Sequence, residues 1–403
     1  MAVSGLSIAG SFAGLTAKGW ILMDGTGNPM VLALHFAALA LPSLLASGPA
    51  GVLTDRIGCE TVLIRSQLGL FAAAVAAALA LPLLQGPAQV GLLLLSTLAI
   101  GVASTYELTA RNKYCALLVD QPQQLAPYLA SFSVVFNVGK LLGPPLGGWL
   151  VATTTPAMAL GIDAATYLVP MAAVIWLLHP DTSLEQRSDG DRSGSLRVAW
   201  RDCGPELRHV FRFSGLACLV IFFHPGLAPS IAIEVVGTGP EDLGVFTSVL
   251  AAGSVCGGLL LQRYSQMLSR RPGLLLGSCT LITGLAQLGM ASWHSLAAGL
   301  LMTFLIGAGT ASLLAGVNLI SQVAAPMQLR GRMAALGQIA FLGGGGFSGL
   351  IAALLTQRLG LRACFALLGV VGLTLGIMEL VQRGRRRLKL PTAPRTELAP
   401  PLR

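Results

Sequence analysis

Residues 88–109 read AQVGLLLLSTLAIGVASTYELT, an apolar run with one charged side chain, Glu107. An α-helix rises about 1.5 Å per residue, so a run of about 20 residues crosses the roughly 30 Å of hydrocarbon in a bilayer. Similar runs recur along the chain, separated by Gly, Pro and charged residues. We place them at residues 3–23, 30–53, 62–84, 88–109, 125–152, 156–179, 209–236, 241–263, 273–292, 295–318, 330–357 and 361–382. The pattern predicts an all-α membrane protein with twelve transmembrane helices.

The composition also argues against a soluble protein. Hydrophobic residues make up 54% of the chain and charged residues 11%, and the mean hydropathy is +0.73. A soluble domain carries about 25% charged residues, because water must wet its surface. The net charge of +9 does not indicate nucleic acid, since the basic residues lie in short connectors and in the tail, where lipid and membrane orientation explain them. We expect no nucleic-acid partner.

The sequence shows no pattern typical of a metal or cofactor site. The seven cysteines have no Cys-x-x-Cys spacing, so we interpret them as unpaired thiols. The run Gly343–Gly346 lacks the Lys-Ser/Thr of a phosphate loop and lies in an apolar span, so it indicates close helix packing or a flexible hinge. The N-terminus has neither a basic n-region nor a small-residue cleavage site, so no removable signal peptide is expected.

Basic residues predict the orientation in the membrane. All but four of the 26 lysines and arginines lie in or beside connectors on one side; the exceptions are Lys18 and Lys140 within spans and Arg358 and Arg362 on the other side. Cytoplasmic connectors are rich in Lys and Arg, so both termini are predicted to be cytoplasmic. The longest polar segment lies between the sixth and seventh spans. The predicted units are an N-terminal six-helix bundle (1–179), a cytoplasmic linker (180–208), a C-terminal six-helix bundle (209–382) and a basic cytoplasmic tail (383–403).

Two similar segments suggest an internal repeat. GVLTDR at 51–56 closes the second predicted span, and GLLLQR at 258–263 closes the eighth, close to half a chain later. Two related, pseudo-symmetric halves with a binding site between them are typical of secondary transporters.

The stretch from Gly51 through Asp55 and Arg56 to Gly58 resembles the G-x-L-x-D-R-x-G-R-R signature of the major facilitator superfamily. The resemblance implies that Gly51 allows close helix packing and that Asp55 and Arg56 latch the cytoplasmic side in one state. The two positions after Gly58 are Cys and Glu instead of the basic pair, so we expect this latch to be weaker or rewired.

A second stretch, NVGKLLGPPLGG at 137–148, resembles the antiporter motif of drug-exporting facilitators. Small residues let helices approach closely, and Pro144 removes a backbone hydrogen bond and bends the span. The resemblance implies that this bend seals a central cavity and favours export. The residues that carry the motif are Gly139, Gly143, Pro144, Gly147 and Gly148.

Two flanking stretches narrow the resemblance further. Residues 110–119, and the stretch around Arg330 and Arg332, resemble sequences of the facilitator branch that contains enterobactin-exporter-like and macrolide-efflux-like proteins. In that branch a basic segment precedes the first helix, whereas Met1 here falls inside it. We expect a misassigned start codon, with a short first helix as the alternative.

A charge at the centre of a bilayer costs about 3 kcal/mol on insertion scales, so each intramembrane charge is a candidate site. Lys18 in helix 1 and Glu234 in helix 7 are predicted to form a bridge between the halves, with Glu234 as the first candidate for proton coupling. The alternative is that both side chains extend to the outer headgroups.

Three other groups have two interpretations each. Glu107 and Lys140 are predicted to pair between helices 4 and 5, either as a switch or as a structural ion pair. Asp163 is either a coupling acid or a hydrogen-bonding group within helix 6. His224, beside Pro225, is either a proton relay or a neutral, hydrogen-bonded histidine at a helix break.

These features predict a secondary transporter that exports a small amphipathic molecule, such as a drug, a siderophore-like compound or a metabolite, by alternating access driven by proton entry. The alternatives are a facilitator that imports a nutrient or flips a lysophospholipid, a transport-inactive sensor, and a membrane enzyme, for which we find no catalytic constellation. We expect a monomer in the plasma (inner) membrane of a bacterium. Its partners are the solute, protons and the lipid bilayer, without a cofactor or metal.

Overall fold

The computed structural model describes residues 2–117, 122–177, 200–201, 203–292, 295–324 and 330–386. Within these ranges the chain is helical and contains no strand. Most of the predicted linker and tail lies outside the described residues. The helices are α1 (Ala2–Thr26), α2 (Pro29–Ala40), α3 (Pro42–Ile57), α4 (Cys59–Ala80), α5 (Pro87–Leu117), α6 (Pro122–Thr153), α7 (Pro156–Trp176), α8 (Pro205–Ile221), α9 (Ala228–Val235), α10 (Pro240–Arg263), α11 (Ser265–Ser269), α12 (Pro272–Ser292), α13 (Leu296–Ala324), α14 (Arg330–Leu359) and α15 (Leu361–Arg383).

Local sequence determines where many of these helices begin. Eight of them start at a proline, whose fixed φ suits the first helical turn and whose missing N–H would have no partner there. The side chain of Asn28 accepts a hydrogen bond from the Met30 amide (2.9 Å) at the start of α2. Thr155 accepts one from the Met158 amide (3.2 Å) at the start of α7. These caps satisfy N–H groups that the first turn of a helix leaves unpaired.

Ten stretches of the described chain are long and apolar enough to cross a membrane. One of them, Pro29–Thr54, covers α2 and most of α3. The helix α6 and the pair α8–α9 are not among the ten, so the count of twelve spans stays a prediction. The seventh predicted span is divided into α8 and α9 by residues 222–227, where Pro225 supplies no backbone N–H for a continuous helix.

The helices form two groups that follow one another along the chain, α1–α7 and α8–α15. In the first group α1 packs on α6 and α7, α4 packs on α5 and α7, and α5 also contacts α2 and α3. In the second group α12 packs on α13 and α15, α10 on α13, and α14 on α8. The two groups meet chiefly along α6 with α10 and along α2 with α14.

Glycines of α6 allow it to lie directly on α1. A Cβ at Gly143 would lie 2.5 Å from the carbonyl oxygen of Ala9. A Cβ at Gly147 would collide with the carbonyl oxygen of Ala13. A Cβ at Gly139, one turn earlier, would also collide with α1. A larger residue at these positions would force the helices apart, so the predicted close packing by this motif is confirmed.

The first predicted motif behaves differently. Among the described residues, nothing lies within 4 Å of a Cβ built at Gly51, so the structure does not show the predicted close helix packing there. Gly58 joins α3 to α4 with a φ of +90°, a conformation that glycine adopts without steric cost. The Arg56 side chain is exposed, and the Asp55 side chain lies outside the described residues.

The glycine run in α14 contacts both groups of helices. Within Gly343–Gly346, the outer two glycines lie against Leu44 and Leu41 of the first group. The inner two lie against Cys218 and Phe222 of α8. The prediction of close helix packing for this run is confirmed.

Candidate functional site

A cavity of about 130 Å³ lies between the two groups of helices. Its walls come from α1, α2 and α6 on one side and from the α8–α9 junction, α10 and α13 on the other. Among the described residues that line it there is no Asp, Glu, Lys or Arg. The lining is mainly apolar, and its aromatic, polar and proline residues include Phe12, Thr16, His35, Phe36, Pro144, Phe222, His224, Thr247, Ser254 and Thr310.

Four hydroxyl groups line this cavity, on Thr16, Thr247, Ser254 and Thr310. Each donates its hydrogen to the carbonyl oxygen one turn earlier in its own helix, over 2.7–3.0 Å. A hydroxyl has one hydrogen and two lone pairs. Each of these hydroxyls can therefore still accept a hydrogen bond from a ligand, but its own hydrogen is already donated.

The first helix presents two different faces. Successive residues of an α-helix are rotated by about 100°, so Thr16 and Gly19 share the cavity face of α1 while Gly14 and Lys18 lie on another face. This second face packs against α7, where the Asp163 carboxylate lies directly on Gly14. A side chain at position 14 would occupy the space that the carboxylate fills.

Lys18 and Asp163 belong to a buried polar network on that face; their exposed fractions are 2% and 3%. The Lys18 ammonium donates a hydrogen bond to Ser96 Oγ in α5 (2.9 Å). It also attracts the Asp163 carboxylate of α7, without being in direct salt-bridge contact with it. The Tyr167 hydroxyl of α7 lies beside Asp163. Among the described residues, Asp163 Oδ1 has no hydrogen-bond partner. The network therefore joins α1, α5 and α7 within the first group of helices.

The predicted bridge between Lys18 and Glu234 is not formed. The Glu234 side chain is 48% exposed, and its carboxylate lies 3.9 Å from Arg362 Nε. The helices α1 and α9 do meet, but through Gly19 and Pro229. The Lys18 side chain leaves α1 on the face away from this contact, which separates it from Glu234.

Glu107 is buried and has two described partners. Its carboxylate accepts a hydrogen bond from Arg111 Nη1 one turn later in α5 (2.9 Å) and lies 3.4 Å from Gln67 Nε2 of α4. The side chains of Lys140, Arg330 and Arg332 lie outside the described residues, so the pair between Glu107 and Lys140 stays a prediction.

His224 lies in the break between α8 and α9 and is buried. Its Nε2 is 3.4 Å from the Gln287 side-chain amide of α12, and its ring stacks on Phe223 with centroids 4.4 Å apart. The Gln287 amide also approaches the carbonyls of Val220 and Ile221, so it must present its NH₂ group to all three partners. This geometry fits a hydrogen-bonded histidine at a helix break, the second of the two interpretations.

The two groups of helices touch closely at the end where α6 finishes and α10 begins. A Cβ at Gly148 would lie 2.5 Å from the carbonyl oxygen of Pro240. At the same end the Gln357 side chain of α14 donates a hydrogen bond to Asn28 Oδ1 (2.6 Å), next to the start of α2. These contacts close the cavity toward this end of the molecule.

Sequence reasoning missed several partners. Ser96 and Gln287 are neutral, and a search for intramembrane charges does not find them. Glu379 is a charged residue within a predicted span, so the search for intramembrane charges that selected Glu234 should also have found it. Its carboxylate lies 3.0 Å from His209 Nε2 and connects α15 to α8. Within the described ranges, no group of three or more His, Cys, Asp or Glu side chains is placed to hold a metal ion.

A cavity enclosed between two groups of membrane-length helices defines the architecture of a secondary transporter. The chain belongs to the transmembrane secretion effector family of the major facilitator superfamily, whose family model matches residues 2–400. The expected membership of this superfamily is confirmed, and the similar proteins are transporters, not enzymes.

Individual proteins support this assignment. The multidrug efflux pump Tap of Mycolicibacterium fortuitum is 26% identical over 410 residues, covering 96% of this chain and 95% of that protein. The Tap pump of Mycobacterium tuberculosis (strain ATCC 25618 / H37Rv) is 24% identical, covering 98% and 93%.

Solved structures support the fold alone. The nucleoside transporter NupG has a TM-score of 0.73 at 11% identity, covering 94% of this chain and 96% of that chain. A POT family transporter in complex with 5-aminolevulinic acid has a TM-score of 0.73 at 13% identity, covering 95% and 96%.

Proposed function

We propose that this protein exports a small amphipathic molecule across a bacterial plasma membrane by alternating access, driven by proton entry. The observation that carries the proposal is the cavity between the two groups of helices, which is closed at one end by Gly148 against Pro240. The name of the Tap relatives, multidrug efflux pump, supports the export direction.

The proposed topology has twelve spans, six in each half, with the linker and both termini in the cytoplasm. Besides the ten apolar stretches, α6 has 32 residues and so exceeds the length of a bilayer core, and α8 with α9 forms one interrupted span. Gly148 lies near the C-terminal end of α6, far from the N-terminus of the chain, which is predicted to be cytoplasmic. In this topology the end closed by Gly148 and Pro240 therefore faces the outside of the cell.

The coupling acid that we propose is Asp163, in place of Glu234. Asp163 is buried and its charge faces Lys18, whereas Glu234 is half exposed and faces Arg362. Protonation of Asp163 would leave the Lys18 ammonium without its counter-charge inside the bundle. An unpaired buried charge is costly, so a proton on Asp163 favours a rearrangement of α1.

A rearrangement of α1 reaches the cavity directly. The helix that carries Lys18 on one face carries Phe12, Thr16 and Gly19 on the cavity face. Moving or rotating α1 therefore changes the shape of the solute site at the same time as the charge pair. This arrangement links proton entry at α7 to the solute without placing a charge in the cavity.

Export is tested in a bacterial host that lacks its main efflux pumps. Accumulation and resistance are measured over a panel of dyes and drugs, with and without a protonophore. We expect at least one neutral, amphipathic compound to accumulate less in expressing cells and the difference to disappear with the protonophore. Unchanged accumulation of every compound, with the protein present in the membrane, would contradict export.

The coupling acid is tested on a compound found in that panel. In everted vesicles with an imposed pH gradient, Asp163→Asn is expected to abolish gradient-driven transport while solute-driven exchange continues. Glu234→Gln is the matched control and is expected to keep both. The opposite pattern would return the coupling role to Glu234.

A further inference from the structure

We propose that four arginines at one end of the second group of helices bind the headgroup phosphate of an anionic membrane phospholipid. They lie in two turns, one immediately before α12 and one immediately after α15. The four residues, which we call the four-arginine surface, are Arg270, Arg271, Arg385 and Arg386. Lipid binding at this surface is separate from the solute cavity and from proton coupling.

The two turns are neighbours because α12 begins where α15 ends. A Cβ built at Gly273, in the first turn of α12, would lie 2.6 Å from both the carbonyl carbon and the carbonyl oxygen of Arg383. Arg271 stands two residues before Gly273 in the chain, and Arg385 stands two residues after Arg383. Consecutive Cα atoms are about 3.8 Å apart, so both pairs of arginines lie close to this backbone contact.

Backbone hydrogen bonds hold both turns in place. The Arg271 amide donates to the carbonyl of Leu268 (3.0 Å), and the Arg271 carbonyl accepts from the amide of Leu274 (3.1 Å). After α15, the Arg386 amide donates to the carbonyl of Arg383 (3.0 Å). Because the backbone is already ordered, only the side chains lose conformational freedom when an anion binds.

The acidic side chains of the described chain do not neutralise the four-arginine surface. None of its members forms a salt bridge with a described residue. Two acids of the described chain lie at this end, and both have other partners: Glu206 binds Arg383 (3.1 Å), and the buried Glu379 lies 3.0 Å from His209 Nε2. Three of the four arginines are exposed and the fourth is partly buried. Their positive charge is therefore accessible to an anion from outside the protein.

Exposed apolar side chains end beside each turn. On α15 they include Met378 and Val381, and Val381 is 80% exposed and four residues before Arg385. Before α12 they include Tyr264 and Met267, each about half exposed. A membrane protein presents such side chains to lipid, and tyrosine is enriched at the level of the headgroups. The four arginines therefore lie where lipid tails give way to headgroups.

A phosphodiester group matches this surface chemically. The guanidinium group is always charged, and its planar fork donates two parallel hydrogen bonds to a phosphate. Each basic residue near an anionic membrane surface strengthens binding by about fivefold. A zwitterionic lipid carries an ammonium group beside its phosphate, and the arginines repel that group. The surface should therefore select anionic over zwitterionic phospholipids.

Native mass spectrometry of the full chain in neutral detergent micelles measures this binding directly. The probes are phosphatidylglycerol and phosphatidylcholine with identical dioleoyl chains, titrated in separate samples. We expect phosphatidylglycerol to bind at least about tenfold more tightly. The preference should shrink several-fold when the salt concentration rises from about 50 mM to about 500 mM, because salt screens exposed charges.

Double variants then locate the site. Arg270→Gln with Arg385→Gln removes one arginine from each turn and should weaken phosphatidylglycerol binding at least about tenfold. Arg270→Lys with Arg385→Lys keeps the charge and should retain most of the affinity. The matched control is Arg65→Gln with Arg358→Gln, which removes the same charge from exposed arginines of α4 and α14 that form no salt bridge with a described residue. This control should bind as the wild type does.

Equal affinities for the two lipids in the wild-type protein would overturn the proposal. An equal loss of affinity in the glutamine variant and in the control would also overturn it, since it would indicate attraction to net charge alone. A full preference for phosphatidylglycerol in the glutamine variant would show that the lipid binds elsewhere. Accumulation of dyes and drugs in cells reports on export separately, so neither measurement decides the other.

Discussion

Gly148 in α6 lies so close to Pro240 in α10 that an added Cβ would be 2.5 Å from the proline carbonyl oxygen. The two residues belong to different groups of helices, so this contact must separate if the cavity is to open at that end. Three other glycines of the same motif face α1, within their own group: Gly139, Gly143 and Gly147. The motif therefore combines a packing surface within one group with a contact between the groups, and only the second would have to separate for that end of the cavity to open.

We predict that Gly148→Ala weakens the closed end. The added methyl group meets a backbone oxygen, which has little freedom to move, so α6 and α10 should be pushed apart. Spin labels at Ala152 and Thr238, near the closed end, should show a larger fraction of long distances by pulsed electron resonance. Gly161→Ala is the matched control, since no described residue lies within 4 Å of a Cβ at that position. An unchanged distance distribution would show that Gly148 does not hold this end closed.

We predict strong coupling between Lys18 and Asp163. Lys18→Met leaves a buried carboxylate without its cation, and Asp163→Asn leaves a buried ammonium; each should cost about 3–5 kcal/mol of unfolding free energy. The double variant removes both charges and should recover most of that loss. Chemical unfolding in detergent micelles checks the cycle. Additive losses in the double variant would mean that the two groups do not stabilise each other.

We predict opposite responses at two adjacent glycines of α10. A Cβ at Gly257 would collide with the carbonyl of Ala308 in α13, so Gly257→Ala should destabilise the protein by about 1–3 kcal/mol. Gly258 has nothing within 4 Å of its Cβ position, so Gly258→Ala should be neutral or slightly stabilising, because alanine favours a helix. Thermal unfolding of the two variants side by side provides the measurement. Equal thermal midpoints for the two variants would exclude tight packing of α10 on α13 at Gly257.

We predict that the pair between Glu234 and Arg362 contributes little to stability. Both side chains are about half exposed, and their closest atoms are 3.9 Å apart. Exposed ion pairs contribute about 0–1 kcal/mol, so Glu234→Gln should leave the unfolding midpoint almost unchanged. A loss comparable with that of Lys18→Met would show that Glu234 is not half exposed in the membrane-embedded protein.

The candidate site was only partly predictable. The cost of an intramembrane charge selected Lys18, Asp163 and Glu107 from the sequence, and all three are buried. Their partners could not be predicted, because the sequence gives the spacing of residues along one helix but not which faces of neighbouring helices meet. The bridge from Lys18 to Glu234 failed for this reason.

The sequence by itself determined the membrane character, the helix starts and the close packing by the glycines of α6. These properties depend on apolar length, on proline at the first turn and on the absence of a side chain, which are local. The tertiary structure alone decided that Lys18 turns toward α7, that Glu234 meets Arg362 and not Lys18, and that the described lining of the cavity carries no charged side chain. These properties depend on which faces of distant helices meet, and that choice is made by the packing of the whole bundle.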